Sequence, residues 1–484
     1  VPTEEERAAR IREGVDAIVA ELGEGNTAEL PQKTFTEVVN LSEYPTALMC
    51  EFDESFLAVP EEIIVDAMLM HQRYFPIYKD GALTNKFIIV TNGDVAYADN
   101  IKDGNQRVVA ARLYDAKFFY DEDLKRPLEA YVERLDEVVF QEQLGTVRAK
   151  TDRVSKLASY LALDAALDAA EREDVARAAL LAKADLVTNA VIEFTSVQGV
   201  MGSYYATAAG ESDRVARAIA DHYRPRFAGD DVPAEAVGKI VAIADKLDTV
   251  CGLFAINQPP TGSSDPFALR RAALGIIAML TGKDAPSINL EAAINESLKI
   301  YAEGGLEFAA TDVAQAVVEF FVTRTKVSLK DAGVPVDAVE AVLAAGIVEP
   351  AVIYERAHAL DDARKLKPDT FEDLATAYAR ANNLRDAELG TLCDAALFSD
   401  VERALDDAVA AAGSAVEAAL EAGTYAPAID ALAALRGPVD EFFESTMIMD
   451  EDTNLRENRL RLLNRFVGVF ASVADFSKLV KGKA

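Results

Sequence analysis

From about Asp115 to the end, strand-like runs disappear. Segments rich in Ala, Leu, Val, Asp, Glu and Arg take over, with apolar residues at 3.6-residue spacing. Such a pattern commits everything after the first quarter of the chain to helix. Breaks fall at Gly199–Gly210, Ala228–Pro233, 257–264, Gly333–Pro335 and Lys367-Pro368-Asp369, where Gly and Pro interrupt the periodicity. The Ala-rich stretch Ala404–Ala422 keeps Leu405, Val409, Val416 and Leu420 at helical spacing and reads as an amphipathic helix, not a linker. The first region is mixed. Glu4 to Leu22 is helical, while 47–52 and 87–91 are short apolar runs with β-branched and aromatic residues, bounded by turn signals. Pro76-Ile77-Tyr78 and Phe87-Ile88-Ile89, with Asp80-Gly81 between them, predict a β-hairpin.

A chain of 484 residues has room for about three or four domains. Half of the residues are hydrophobic and 27% are charged, the balance of an ordinary globular protein. No run is long enough for a membrane span, and the acidic start Val1–Arg7 does not resemble a signal peptide, so a cytoplasmic address is expected. Cys50, Cys251 and Cys393 are far apart and show no zinc spacing. With His71, His222 and His358 as the three histidines, histidine-rich catalysis is nearly excluded.

The net charge of −32 has the wrong sign for general attraction to nucleic acid or anionic lipid, so any RNA contact must be local. One stretch reverses the trend. From Arg456 to Ala484 seven Lys/Arg face Glu457 and Asp475, a net of +5, leaving −37 on the rest.

No phosphate loop, GxGxxG, HExxH or GxSxG occurs, nor the signatures of either class of aminoacyl-tRNA synthetase core. An adenylate-forming site in this chain is not expected.

Several segments nonetheless resemble the beta subunit of the bacterial two-subunit glycyl-tRNA synthetase: 70–76 (MHQRYFP), 104–108 (GNQRV) with 111–119 (ARLYDAKFF), and 139–146 (VFQEQLGT). So do 181–188 (LAKADLVT), 198–202 (QGVMG), 244–248 (ADKLD), 260–271 (PTGSSDPFALRR) and 473–476 (VADF). The resemblance runs through nearly the whole chain in family order. It implies a fold that is mainly α with an N-terminal α+β region, a degenerate HD-type helical domain and a helical C-terminal anticodon-binding domain. Domain limits of 1–130, 131–260, 261–367 and 368–484 follow from these parts and the breaks. The family has a further N-terminal region, which implies that this chain is a truncated form of a longer one.

The resemblance also implies a tRNA-binding subunit without a catalytic site of its own. It would work with a catalytic alpha subunit, which holds ATP and Mg2+, in an α2β2 assembly that charges tRNA(Gly), with neither membrane nor DNA as partner. Two other readings stay open: an HD-type nucleotide phosphohydrolase and a non-catalytic helical scaffold. An HD hydrolase holds its metal with a His, a His-Asp pair and a distant Asp. Here Ala184 takes the place of the paired His beside Asp185, and Asp245 suits the final Asp, so the ligand set is broken and no metal is expected. Retained metal chemistry would have to run through Asp185, Asp245 and Asp248.

Asp265 is expected to cap a helix with Pro266 at its first position, which sets Arg270 and Arg271 near the positive end, in need of an anion. A structural carboxylate, an RNA phosphate and a partner subunit all qualify. His71 in 70–75 and His222 in 221–227 fit either packed turns or RNA contact, with Arg224 and Arg226 the better phosphate ligands. His358 reads as a half-buried helical residue. In the C-terminal helix Leu455, Leu462, Leu463, Phe466, Phe470 and Val473 gather on one face, with Arg459 among them to neutralise a buried carboxylate. Asn458, Arg461 and Arg465 point the other way, as a solvated face or as contacts to tRNA.

Overall fold

The computed structural model describes residues 3–479. The chain forms two compact units, one running up to Pro225 together with Asp230–Asp248, the other comprising Arg226–Gly229 and the chain from Thr249 onward.

The first unit opens with α1 (Glu4–Leu22), started by a capping box between Thr3 and Glu6. After it come β1 (Asn26–Ala28), α2 (Gln32–Leu41), β2 (Thr46–Glu51), β3 (Phe75–Lys79) and β4 (Ala82–Thr91). The strands form an antiparallel sheet in the order β1-β3-β4-β2. The expected hairpin is β3–β4, pairing Phe75 with Ile88 and Pro76 with Phe87. Its tight turn needs two residues with positive φ, and Asp80 (51°) and Gly81 (84°) supply them. Ile11 and Val15 of α1 pack with Phe35, Val38 and Val39 of α2 over Phe75, Ile77 and Ile88. Each such side chain contributes about 1.5–3 kcal/mol on burial.

α3 (Ala98–Asp123) lies against β2. A small hairpin, β5 (Val139–Gln141) and β6 (Gly145–Thr146), then leads into α4 (Val147–Asp164), capped by Thr146. α5 (Ala169–Leu181) starts from an Asp168/Glu171 capping box and packs against α4. α6 (Ala236–Ala255) brings Asp245 and Asp248 to α4.

The second unit is helical. Its first long element, α7 (Leu269–Thr281), begins three residues later than the sequence suggested, because Ala268 is left-handed (φ 54°) and residues 266 and 267 form a turn. Asp265 still caps it, accepting from the amides of Leu269 (2.8 Å) and Arg270 (3.0 Å). The C-terminal bundle is built from α8 (Pro368–Leu384), α9 (Asp400–Glu421) and α10 (Thr453–Ala471) with shorter helices between. Leu405, Val409 and Val416 of α9 meet Phe466 and Phe470 of α10 in one core that also takes in Phe371 and Tyr378. Among the described residues no helix is long and apolar enough to cross a membrane.

Candidate nucleic-acid interface

α10 starts where Asp452 accepts from the amide of Asn454, and it buries Leu460, Leu462, Leu463, Phe466, Val467 and Phe470. Arg459 lies beside this apolar face as expected. Its Nε donates to Oε1 of the buried Glu402 (2.6 Å) and its Nη1 to Oδ2 of Asp450 (2.7 Å) and the carbonyl of Met447 (2.9 Å). Burial pushes Glu402 upward, but hydrogen bonds from Arg459 and Ser399 outweigh it and hold the carboxyl below its ordinary range.

The opposite face departs from the expectation. Asn458 is 1% exposed, not solvated: its Oδ1 accepts from the amide of Asp394 (2.7 Å) and its Nδ2 donates to the Asp394 carbonyl (3.0 Å). Arg461 donates to Oε2 of Glu457 (3.1 Å) and to the carbonyl of Leu389 (3.3 Å), and Arg465 pairs with Asp406. Asn464 donates to the carbonyls of Asp386 and Gly390, both at 2.7 Å. The reason is the loop 385–399, which folds back across α10 and turns a supposedly free face into a second contact surface. The guanidinium side chains of Arg461 and Arg465 remain 29% and 31% exposed, enough for an incoming phosphate to compete with Glu457 and Asp406.

The other candidate cations are scattered. Arg270 donates to the carbonyl of Gly262 (2.8 Å), a backbone oxygen and not the carboxylate considered from sequence, while Arg271 is exposed. Arg224 lies 3.6 Å from Asp221, and Arg226 is exposed in the other unit. His71 sits edge-on to Phe194, and His358 is exposed beside Tyr354, not half-buried.

At the residues singled out as a degenerate metal site, backbone amides and basic side chains hold the carboxylates. Asp185 accepts from the amides of Gly199 (2.5 Å) and Gly202 (2.9 Å), and burial pushes its carboxyl up to about 6. Ala184 is buried. Asp245 is held by Lys150 (3.2 Å) and Lys183 (3.1 Å), and Asp248 by Lys150 (3.1 Å) and Arg153 (2.8 Å). Burial raises Asp245, yet Lys150 and Lys183 overcome it and push the carboxyl well below its usual value. Burial lowers the Lys183 ammonium, which also lies 3.8 Å from the centre of the Tyr223 ring. His222 is fully buried and shares a 2.6 Å hydrogen bond between Nδ1 and the carbonyl of Ile219, and burial drives its pKa well down. Among the described residues no three His, Cys, Asp or Glu side chains group as metal ligands.

Sequence reasoning missed Lys150 and Lys183, although a signal existed. Lys150 falls on the apolar face of α4 with Val147, Thr151 and Val154, and Lys183 sits in the apolar run 178–184. A lysine in such a place needs a buried carboxylate.

The sequence matches the family described as "Glycyl-tRNA synthetase beta subunit" over residues 1–344 and that described as "DALR anticodon binding domain" over residues 374–476. It is similar to proteins named "Glycine--tRNA ligase beta subunit": 43% identical over 460 residues to that of Desulforamulus reducens, covering 94% of this chain and 66% of the relative. The identity is 42% over 459 residues to that of Haemophilus influenzae (94% and 65%), and 41% over 457 residues to that of Clostridioides difficile (94% and 66%). The chain thus spans just under two thirds of the length of these relatives.

Proposed function

Because the chain belongs to the glycyl-tRNA synthetase beta subunit family, we propose that it is the tRNA-binding part of a glycine–tRNA ligase, acting with a separate catalytic alpha subunit. The observation that carries this reading is the C-terminal bundle. An anticodon-binding match over residues 374–476 includes α10, where the basic stretch that begins at Arg456 supplies Arg456, Arg459, Arg461 and Arg465. The catalytic partner supplies the site for ATP, Mg2+ and glycine, in an α2β2 assembly in the cytoplasm. This chain supplies grip on tRNA(Gly), through Arg461 and Arg465 first, with Arg224, Arg226, Arg270 and Arg271 as further phosphate contacts. The four-part division at 130, 260 and 367 belongs to the same proposal.

The region around Lys183 and Asp245 serves as an HD-type scaffold without hydrolase chemistry. The ammonium groups of Lys150 and Lys183 lie within ion-pair distance of the buried Asp245 and supply its countercharge. A phosphohydrolase would need that carboxylate for its cation.

The test is glycylation of tRNA(Gly) by a cognate alpha subunit, measured with and without the longer form of this chain. Charging should depend on it. Glycine-dependent pyrophosphate exchange by this chain by itself would overturn the division of labour.

A further inference from the structure

The polar side chains of α10 strap two irregular segments onto the C-terminal bundle. Asn458, Arg461 and Asn464 hold the loop 385–399 through the backbone of Asp394, Leu389, Asp386 and Gly390. Arg456 and Arg459 hold the segment 446–452 through the carbonyls of Asp450 (2.9 Å) and Met447 (2.9 Å). Asn458 and Arg459 are consecutive. Arg459 also reaches Glu402, which exchanges hydrogen bonds with Ser399 at the end of the loop, so the two segments flank the same turn of α10.

Both segments display apolar side chains outward from a held backbone. Leu392 is 87% exposed, and Met447 and Met449 are 74% and 59% exposed on either side of Ile448, which is anchored in the core. A lone exposed apolar residue needs no explanation, but three on adjoining, well-held segments mark a surface that a partner can cover.

The charge around them decides what that partner can be. The loop 385–399 carries Asp386, Glu388 and Asp394 against Arg385, and residues 441–452 carry five carboxylates and no base. Glu388, Glu444 and Glu451 among them are exposed. The neighbouring arginines of α10 do not offset this field, because Arg459 is engaged with Glu402 and Asp450, and Arg461 with Glu457. Such a surface repels a phosphate backbone. A polypeptide with Lys or Arg beside apolar side chains complements it on both counts. Methionine suits the role, since its flexible thioether repacks around apolar groups of different shape.

We propose that this end of the bundle docks a basic amphipathic helix of a partner protein, whose apolar face covers Leu392, Met447 and Met449 while its cations face Glu388, Glu444 and Glu451. The inference goes beyond the tRNA-binding reading and does not depend on it.

The probe is a synthetic amphipathic helix of about five turns with leucine on one face and lysine on the other, labelled with fluorescein and titrated with the chain at physiological ionic strength. A second peptide carries glutamate in place of each lysine. The lysine peptide should bind and the glutamate peptide should not. Leu392→Ser and Met447→Ser/Met449→Ser leave the charge unchanged. These variants should keep their melting temperature and bind the lysine peptide about tenfold more weakly or worse, as should Glu444→Gln/Glu451→Gln. Leu366→Ser, likewise at an exposed position (79%) but outside the matched domain, should bind it normally. A benzophenone on the apolar face of the lysine peptide should crosslink within 385–399 or 441–452 of the unmodified chain. Failure of the lysine peptide to bind, undiminished binding by the folded apolar variants, or crosslinks confined elsewhere would overturn the inference. A tRNA(Gly) transcript should not distinguish the apolar variants from the parent. A parallel loss of tRNA affinity in those variants would make the surface an RNA contact and overturn it equally.

Discussion

Nε of Arg459 stands 2.6 Å from Oε1 of Glu402, whose side chain is 2% exposed, so one guanidinium neutralises the carboxylate that closes the capping box of α9. Arg459→Ala leaves that carboxylate buried without its cation, and the loss should be about 3 kcal/mol or more in urea unfolding. Glu402 titrates below its ordinary value in the folded chain. The stability it contributes is therefore complete above the unfolded carboxyl pKa of about 4.3 and is lost as pH falls through the lower folded value. Glu402→Gln should remove that part of the acid sensitivity, read from melting temperatures across pH 2 to 6.

Asp185 has the opposite sign. Burial raises it to about 6 against the pull of the Gly199 and Gly202 amides. Its contribution is fully present below the unfolded value of about 3.9 and is lost as pH rises through 6. Asn has the same shape and can accept from both amides. Asp185→Asn should therefore be more stable than the parent at neutral pH, on the order of 2 kcal/mol, and equal to it near pH 4. A parent that gains stability from pH 4 to 7 relative to the variant would contradict this.

Lys150 and Lys183 should not be equivalent. Lys150 serves Asp245 and Asp248 together, whereas Lys183 serves Asp245, which keeps Lys150 if Lys183 is removed. Lys150→Met should cost about 3–5 kcal/mol and Lys183→Met distinctly less, measured by denaturant titration.

Replacing Arg461 and Arg465 together by Ala should weaken tRNA binding about tenfold or more and flatten its salt dependence, because phosphate contacts release counterions. Melting should fall only slightly, since the ion pairs lost, with Glu457 and Asp406, are partly solvated, and the loop 385–399 loses its 3.3 Å tie from Arg461 to Leu389 but keeps those from Asn458 and Asn464. Unchanged affinity would move the phosphate contacts to other arginines.

The helical majority, the β3–β4 hairpin and the Arg459 ion pair were legible in the sequence because each rests on local periodicity or on one charge in an apolar stripe. The second face of α10 was not. Asn458 and Asn464 look like solvated residues until the loop 385–399 folds over them, and nothing within the helix specifies that return. The start of α7 was misplaced for a similar reason. Pro266 suits a first helical turn, but the left-handed Ala268 delays it, a backbone choice that an alanine does not announce. The two lysines that neutralise Asp245 lie 62 and 95 residues away along the chain, so no local spacing pairs them with it.

The strapping of 385–399 onto α10 has a thermodynamic consequence. A loop that is ordered only when its ligand arrives gives binding a large negative heat-capacity change and couples association to folding. Here the backbone groups of Asp386, Leu389, Gly390 and Asp394 are already held by side chains of α10. A partner that binds against this loop would meet a preorganised surface, and the heat capacity of binding should reflect the apolar area covered, not the ordering of fifteen residues of chain. Against such a surface the conformational adaptation would fall to the partner, not to this loop.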